Sequence, residues 1–243
     1  MQKSKRVLVC PLNWGLGHAA RDIPIIRKLT EEGFEVIIAA SGDALDFLKI
    51  EFPELTIINI PDYEIRYSKK NVQIIKMLAL IPRIIFYSFK EHSVLKKISK
   101  YYEIDIVISD NRYGLWNNQT YNIFITHQLK VKFPGILKLF EPIYKLVSGF
   151  FIDKFDECWI PDYQSNPNLS GELSHTKSKL RNWYFIGPVS RFIKEANKKV
   201  NEDIDVLFVL SGPEPQRSIF ENIIINQVKE TSLKIAIVRG TKR

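Results

Sequence analysis

The feature that most limits what this chain can become is a rhythm. Apolar runs of strand length alternate with longer segments whose apolar residues recur at helical spacing. Strands are expected at residues 6–10, 34–40, 55–60, 104–109, 122–126, 157–160 and 183–186, with helices at 19–32, 43–51, 71–100 and 134–151. The helix over 71–100 is one long element or two, broken at Pro82. Several strands are rich in Val and Ile and have apolar neighbours on both faces, as parallel strands covered by helices on two sides require. Alternating β and α elements predict a doubly wound α/β sheet. Residues 192–205 are polar and charged without a strand pattern and read as a linker. The rhythm then restarts with a strand at 206–210, a helix at 216–230 and a strand at 234–238. A lone β-α-β unit of about forty residues buries too little apolar area to stand alone. The expected division is a Rossmann-like domain over 1–190, a linker over 191–204, and an unfinished second domain over 205–243.

Composition matters at three points. Apolar residues are 45% of the chain and charged residues 26%, which excludes disorder. Cys10 and Cys158 sit far apart in strand-like runs, so buried free thiols are expected rather than a disulfide framework or a zinc site. Lys3, Lys5 and Arg6 before an apolar stretch imitate a signal peptide. That stretch ends after six residues at Leu12 and contains Pro11, so it reads as a first strand and the compartment as cytoplasmic. The net charge of +8 is uneven: residues 69–100 carry eight bases against one acid, Glu91, among bulky apolar side chains. No apolar run there approaches the ~18 residues of a membrane span. Such a segment suits either the surface of an anionic membrane, giving peripheral attachment at its inner face, or a core helix with a solvated lysine face. Nucleic acid is not expected, because no recognition motif accompanies the charge.

In open parallel sheets, ligands bind beyond the carboxyl ends of the strands. The first strand is followed by Pro11-Leu12-Asn13-Trp14-Gly15-Leu16-Gly17-His18 and the second by Ser41-Gly42-Asp43. The strand ending at 109 leads into Asp110-Asn111-Arg112, and the next into Thr126-His127-Gln128. Gly15 and Gly17 invite a dinucleotide reading, but four residues separate the strand from the first glycine. The acid expected at the end of the second strand is also missing: Ala40 and Ser41 stand there.

The runs GLGHAARDIPIIRKL, SDNRYGL, FITHQL, IGPVSRF and LSGPEPQR, in that order, resemble the bacterial glycosyltransferases that make lipid II by adding N-acetylglucosamine, a family 28-like group. They resemble that group's uncharacterised relatives more closely. The resemblance covers nearly the whole chain. It implies the GT-B architecture of two Rossmann-like domains, with the acceptor mainly on the first and the nucleotide-sugar mainly on the second. The family shows a G-x-x-G-H loop; here only Gly15, Gly17 and His18 match, and the loop is shorter.

An inverting transfer needs a base for the acceptor hydroxyl and an electrophile for the departing diphosphate. His18, at the start of a helix whose dipole disfavours the imidazolium, is one candidate base; a cap or a packing partner of Trp14 is the plainer reading. Asp110 is the rival base, or a turn residue bonding its own backbone. Asn13, Gly15, Gly17, Arg112, Thr126, His127 and Gln128 are the acceptor-binding candidates. Among them, His127 and Gln128 would hold hydroxyls or fix their loop, and Arg112 would bind a phosphate or pair with Asp110. Ser211, Gly212, Gln216 and Arg217 are the donor-binding candidates, since a strand-to-helix turn can cradle a diphosphate. Pro215 also suits a first helical turn as pure structure. No metal-ligand spacing is present, so neither metal nor cofactor is expected beyond the nucleotide-diphosphate sugar as co-substrate. The expected activity is a metal-independent, inverting sugar transfer from that donor to a saccharide or lipid-linked hydroxyl, with little turnover from these residues alone. The alternatives are a nucleotide-sugar epimerase of the same fold and a non-catalytic binding half that needs a partner domain.

Overall fold

The computed structural model describes residues 4–62, 73–133, 135–175, 182–192, 203–211 and 214–239. In chain order the first elements are β1 (Arg6–Pro11), α1 (Gly17–Glu31), β2 (Glu35–Ala40), α2 (Gly42–Glu51), β3 (Thr56–Asn59) and α3 (Gln73–Tyr102). There follow β4 (Ile106–Asp110), β5 (Tyr121–Ile125), α4 (Glu141–Ile152), β6 (Glu157–Ile160) and β7 (Trp183–Phe185). All seven strands form one parallel sheet in the order β3-β2-β1-β4-β5-β6-β7. The order reverses between β1 and β4, so a crevice is expected at their carboxyl ends.

Side-chain alternation sorts the core onto two faces. Val9 lies beside Ile38 and Ile108, and this row packs with Ala19, Ile23 and Ile26 of α1 and Leu48 of α2. Leu8, Ile37 and Val107 point the other way and meet Leu95 and Ile98 of α3. Phe124 and Cys158 share that second face and meet Ile152 at the end of α4. The sheet is therefore doubly wound, as the strand pattern predicts. Cys10 and Cys158 are buried free thiols.

One helix takes one of the two forms the sequence allows, and another begins later than expected. α3 runs through Pro82 as one element, and α1 likewise contains Pro24. An internal proline costs about 3 kcal/mol, but packing of an apolar face is the larger contribution to a helix inside a protein. Before α4, residues Gly135–Phe140 close into a 3-10 helix, and the α-helix begins only at Glu141. Pro142 fits the first turn and lacks the N–H that would tie it back to Lys138.

Two compact units divide the chain, one of Met1–Glu64 with Met77–Arg191 and the other of Ile65–Lys76 with Phe192–Arg243. In the second, β8 (Val206–Val209) pairs in parallel with β9 (Ile235–Val238), and α5 (Gln216–Val228) connects them. That is one β-α-β unit.

Part of the basic apolar segment, residues 69–72, lies outside the described residues. Farther along α3, Glu91, Leu95 and Ile98 are buried, while Phe86 and Phe89 are exposed. Arg83 and Lys90 both lie against the Tyr87 ring. Among the described residues no helix is long and apolar enough to cross a membrane.

Candidate active site

β4 ends at Asp110 on the α1 face, where α1 begins with Gly17 and His18. The Asp110 carboxylate is fully buried, and its Oδ1 lies 3.0 Å from His18 Nδ1. Arg21, one turn along α1, grips the same carboxylate with both arms: Nε donates to Oδ2 at 3.1 Å and Nη2 donates to Oδ1. Burial alone would raise the Asp110 carboxyl. The charge of Arg21 and the hydrogen bonds of His18 and Arg21 outweigh it and hold the group well below the usual carboxylate range. Such a carboxylate orients a neighbour better than it takes a proton.

The tautomers follow from chemistry. Arg21 Nη2 also lies 3.0 Å from His18 Nδ1, so that nitrogen would either donate to Asp110 or accept from Arg21. Donation to an ionised carboxylate is a charge-assisted bond, whereas an imidazole lone pair facing that carboxylate would be repelled. His18 Nδ1 therefore carries the proton, and Nε2 keeps a lone pair that has no partner among the described residues. His127 is the opposite case. Arg21 Nη1 lies 3.1 Å from its Nδ1, and a guanidinium can only donate, so Nδ1 accepts and the proton sits on Nε2. Burial, then the charge of Arg21, lowers the His127 pKa and keeps the ring neutral. The two rings stand 6.4 Å apart, one with a base at Nε2 and the other with a donor.

A cavity of about 390 Å³ adjoins them, walled in part by Gly17, Arg21, His127, Pro161, Ser170 and Pro188. Its residues come from the first turns of α1 and from the loops that follow β5, β6 and β7. Gly15 has φ +71°, a value that favours glycine. A Cβ at Gly15 or Gly17 would meet open space, so neither glycine is dictated by packing and both leave room for a ligand.

Three predicted acceptor contacts have partners within the fold itself. Arg112 is fully buried on the α3 face, bonded to Glu91 at 2.8 and 3.0 Å and to the Pro61 carbonyl. Asn111, at φ +59°, turns the chain between Asp110 and Arg112 and sends them to opposite faces. Asn13 accepts from the Ala44 backbone N–H at 3.3 Å, serving the start of α2, and a Cβ at Gly42 would strike its amide. Thr126 is buried, with its hydroxyl donating to Asn111 Oδ1 and accepting from the Gln128 N–H. These three build the loops that shape the site. Gln128 is half-buried beside it.

In the second unit, Gly212 lies outside the described residues, Ser211 is exposed and Gln216 opens α5. Arg217 is bonded to Glu214, whose carboxylate also accepts from the Ser218 hydroxyl at 2.7 Å. Among the described residues no group of three or more His, Cys, Asp or Glu side chains is arranged to hold a metal ion.

Sequence reasoning missed Arg21 and Asp22. The available signal was helical spacing, since Arg21 is three residues and Asp22 four residues after His18, on the same face of α1. Asp22 is fully buried, and among the described residues nothing donates a hydrogen bond to either of its oxygens. Burial, then the charge of Asp110, raises its carboxyl well above the ordinary range.

A doubly wound parallel sheet with a polar crevice at its switch point is the Rossmann-like arrangement from which GT-B glycosyltransferases are built. The sequence pattern of glycosyl transferase family 1 matches residues 6–130, and the chain belongs to that family. No curated protein matches it in sequence. Among solved structures, a UDP-glucosyltransferase from Polygonum tinctorium that glucosylates indoxyl aligns with TM-score 0.57 and 12% identity, over 98% of this chain and 66% of that one. A spinosyn rhamnosyltransferase aligns with TM-score 0.56 and 12% identity, over 96% of this chain and 64% of the other. The glycotransferase of kitacinnamycin gives TM-score 0.54 and 11% identity, over 99% of this chain and 72% of its own length. At such identities the likeness is one of fold. The chain spans about two thirds of the length of these proteins.

Proposed function

We propose that the chain carries the acceptor side of an inverting glycosyltransferase, with a nucleotide-diphosphate sugar as donor and a hydroxyl as acceptor. The observation that carries this reading is the buried His18–Asp110 pair, which leaves His18 Nε2 as a base at the mouth of the sheet. His18 removes the acceptor proton as the hydroxyl oxygen attacks the anomeric carbon, and the C–O bond to the nucleoside diphosphate breaks so that the diphosphate departs with its electron pair. Asp110 fixes the tautomer and steadies the imidazolium that forms. The sequence presents His18 and Asp110 as rivals for one role; here they act in series. His127 Nε2–H holds an oxygen of either substrate, and Arg21 keeps the His127 ring in its tautomer. The first unit takes the acceptor, and the β8-α5-β9 unit belongs to the donor side, where α5's N-terminus faces the diphosphate. The chemistry drawn here calls on no metal.

The test is turnover from a panel of nucleotide-diphosphate sugars to hydroxyl acceptors in variants of the active enzyme. His18→Ala should lower kcat by ~10²–10⁴ while Arg21 still pairs Asp110 and preserves the fold. Asp110→Asn should lower kcat comparably, because an amide can donate to Nδ1 and move the imidazole proton onto Nε2, a change that costs ~10⁴ in a serine protease triad. Wild-type turnover in His18→Ala would remove the base from this reading.

A further inference from the structure

Residues 161–182 connect β6 to β7, and among those described the one helical element is the 3-10 turn Gly171–Leu173. Loops longer than ~15 residues without regular structure of their own are uncommon and tend to serve a site. We propose that Asp162 is a positioning residue of the transfer site: it braces one wall of the crevice and, through that wall, the loop that carries His127. This rests on the glycosyl-transfer reading above and adds a residue to it.

The first observation is the set of donors that converge on one carboxylate. Asp162 is fully buried. Its Oδ1 accepts from the N–H of Tyr163 at 2.7 Å and from that of Leu169 at 2.9 Å. Its Oδ2 accepts from the Ser170 N–H at 2.9 Å and from the Ser170 hydroxyl. Burial raises the carboxyl, but the Ser170 hydroxyl and the three N–H groups outweigh it and hold the group well below the usual carboxylate range. One side chain thereby ties together both ends of the excursion from 163 to 170.

The bonds continue beyond it. Ser170 gives its hydroxyl proton to Asp162, so its oxygen accepts from the hydroxyl of Ser174, a fully buried residue. Ser174 Oγ lies 3.1 Å from His175 Nδ1. His175 Nε2 lies 3.0 Å from the Tyr163 carbonyl, to which it can only donate. The loop closes on itself as a ring of hydrogen bonds that starts and ends beside Asp162.

The second observation is where this ring stands. Leu169, Ser170 and Leu173 wall the small cavity together with Gly17, Arg21 and His127. The Leu173 carbonyl also accepts from the Lys130 N–H at 2.9 Å, three residues beyond His127. The loops of His127 and Asp162 are thus joined by a backbone bond and face one cavity. Asp162 does not line that cavity, so it acts on a ligand only through the residues it holds. Burial is the first cause of the lowered His127 pKa. A wall that gave way would admit water to the ring and relax that shift.

Asp162→Asn tests this with almost no change in volume. An amide offers a single oxygen, so whichever way it lies, one pair of donors faces an NH₂ group instead of an acceptor. With histidine ring carbons labelled, the whole chain is titrated across neutral pH and followed by NMR. The expected result is that His127 titrates at a higher pH than in the wild type, back toward the ~6.5 of an ordinary histidine. The His175 resonances should shift as well, while His92, stacked on Trp116, stays still. Ser174→Ala cuts the ring at a residue that does not line the cavity, and should move His127 in the same direction by less. If Asp162→Asn fails to fold, that variant decides. In the active enzyme Asp162→Asn should raise KM for one substrate by roughly ten-fold and leave kcat within about three-fold, since His18 and Asp110 keep their bond.

Movement of His175 with His127 unmoved in the folded variants would confine Asp162 to its own loop and overturn the proposal. So would movement of His92 as well, which describes general loosening, or a fall in kcat at unchanged KM, which places Asp162 in the chemical step. The titration needs no turnover. It stands if His18 proves not to be the base, and an unmoved His127 leaves the base assignment untouched.

Discussion

Two buried arginine–carboxylate pairs lie within two residues of each other at the end of β4, and they behave differently. On the α1 face Arg21 and His18 surround Asp110; on the α3 face Arg112 meets Glu91 at 2.8 and 3.0 Å. At Glu91 burial wins, and the carboxyl is raised despite Arg112 and the Gly114 N–H. At Asp110 the Arg21 charge and the hydrogen bonds of His18 and Arg21 win, and the carboxyl is lowered. The second pair is closed, its arginine also bonded to backbone carbonyls of Pro11 and Pro61. The first contains an imidazole with one nitrogen engaged and the other idle, beside a cavity. A buried ion pair is therefore a poor guide to function by itself; an idle titratable atom at its edge is the better one.

Removing the arginine of the closed pair should have the largest effect. Arg112→Met strands Glu91 without its cation, and breaking a buried pair from one side costs ~3–5 kcal/mol. Urea unfolding should show that loss, and adding Glu91→Gln to the same chain should recover part of it. An Arg112→Met protein as stable as wild type would mean that Glu91 is already neutral and indifferent to its partner. The open pair should respond in the other currency, turnover. Arg21→Lys keeps a charge but not the planar fork that grips both Asp110 oxygens and His127. We expect kcat to fall by roughly ten- to hundred-fold, with a smaller shift in the urea midpoint than Arg112→Met produces. Equal losses of stability in the two variants would erase the distinction between the pairs.

The difference between the two faces also marks what the sequence could tell. Strand and helix positions were legible because period-2 and period-3.6 patterns are local properties, and the parallel order followed from apolar neighbours on both faces. The boundary that slipped is the start of α4 near Pro142, while the choice between one helix and two at Pro82 was open in the sequence. The loops carrying His18, Asp110 and His127 were legible too, since the fold delivers the carboxyl ends of its strands to one edge. Which face each loop residue takes was not. That choice turns on Asn111 adopting a positive φ, and it sends Asp110 to the site and Arg112 to the core. Asn13 and Thr126 were likewise polar residues in the right loops whose hydrogen bonds close on backbone. Arg21 escaped notice because a charged residue inside a helix reads as solvated until the strand beside it is placed.

Asp22 offers the finest test of the open cluster. It is buried one turn from His18, with no donor facing it among the described residues. Burial and the charge of Asp110 raise its carboxyl, against a weaker pull from Arg21. With both acids ionised neither could donate. With the proton on Asp22, its O–H can bond Asp110, so one proton serves the two carboxyls. The signs are opposite. Asp110, lowered in the folded state, contributes stability that is present above about pH 4 and lost as pH falls. Asp22, raised in the folded state, contributes stability that is complete below about pH 4 and lost as pH rises through its folded value. Asp22→Asn removes only the second contribution. Near pH 4 the variant should match wild type within ~0.5 kcal/mol in urea unfolding. Toward neutral pH the variant should become progressively the more stable of the two. A difference that stays constant with pH would mean that Asp22 ionises like an ordinary surface carboxylate, and the shared proton would have to be abandoned.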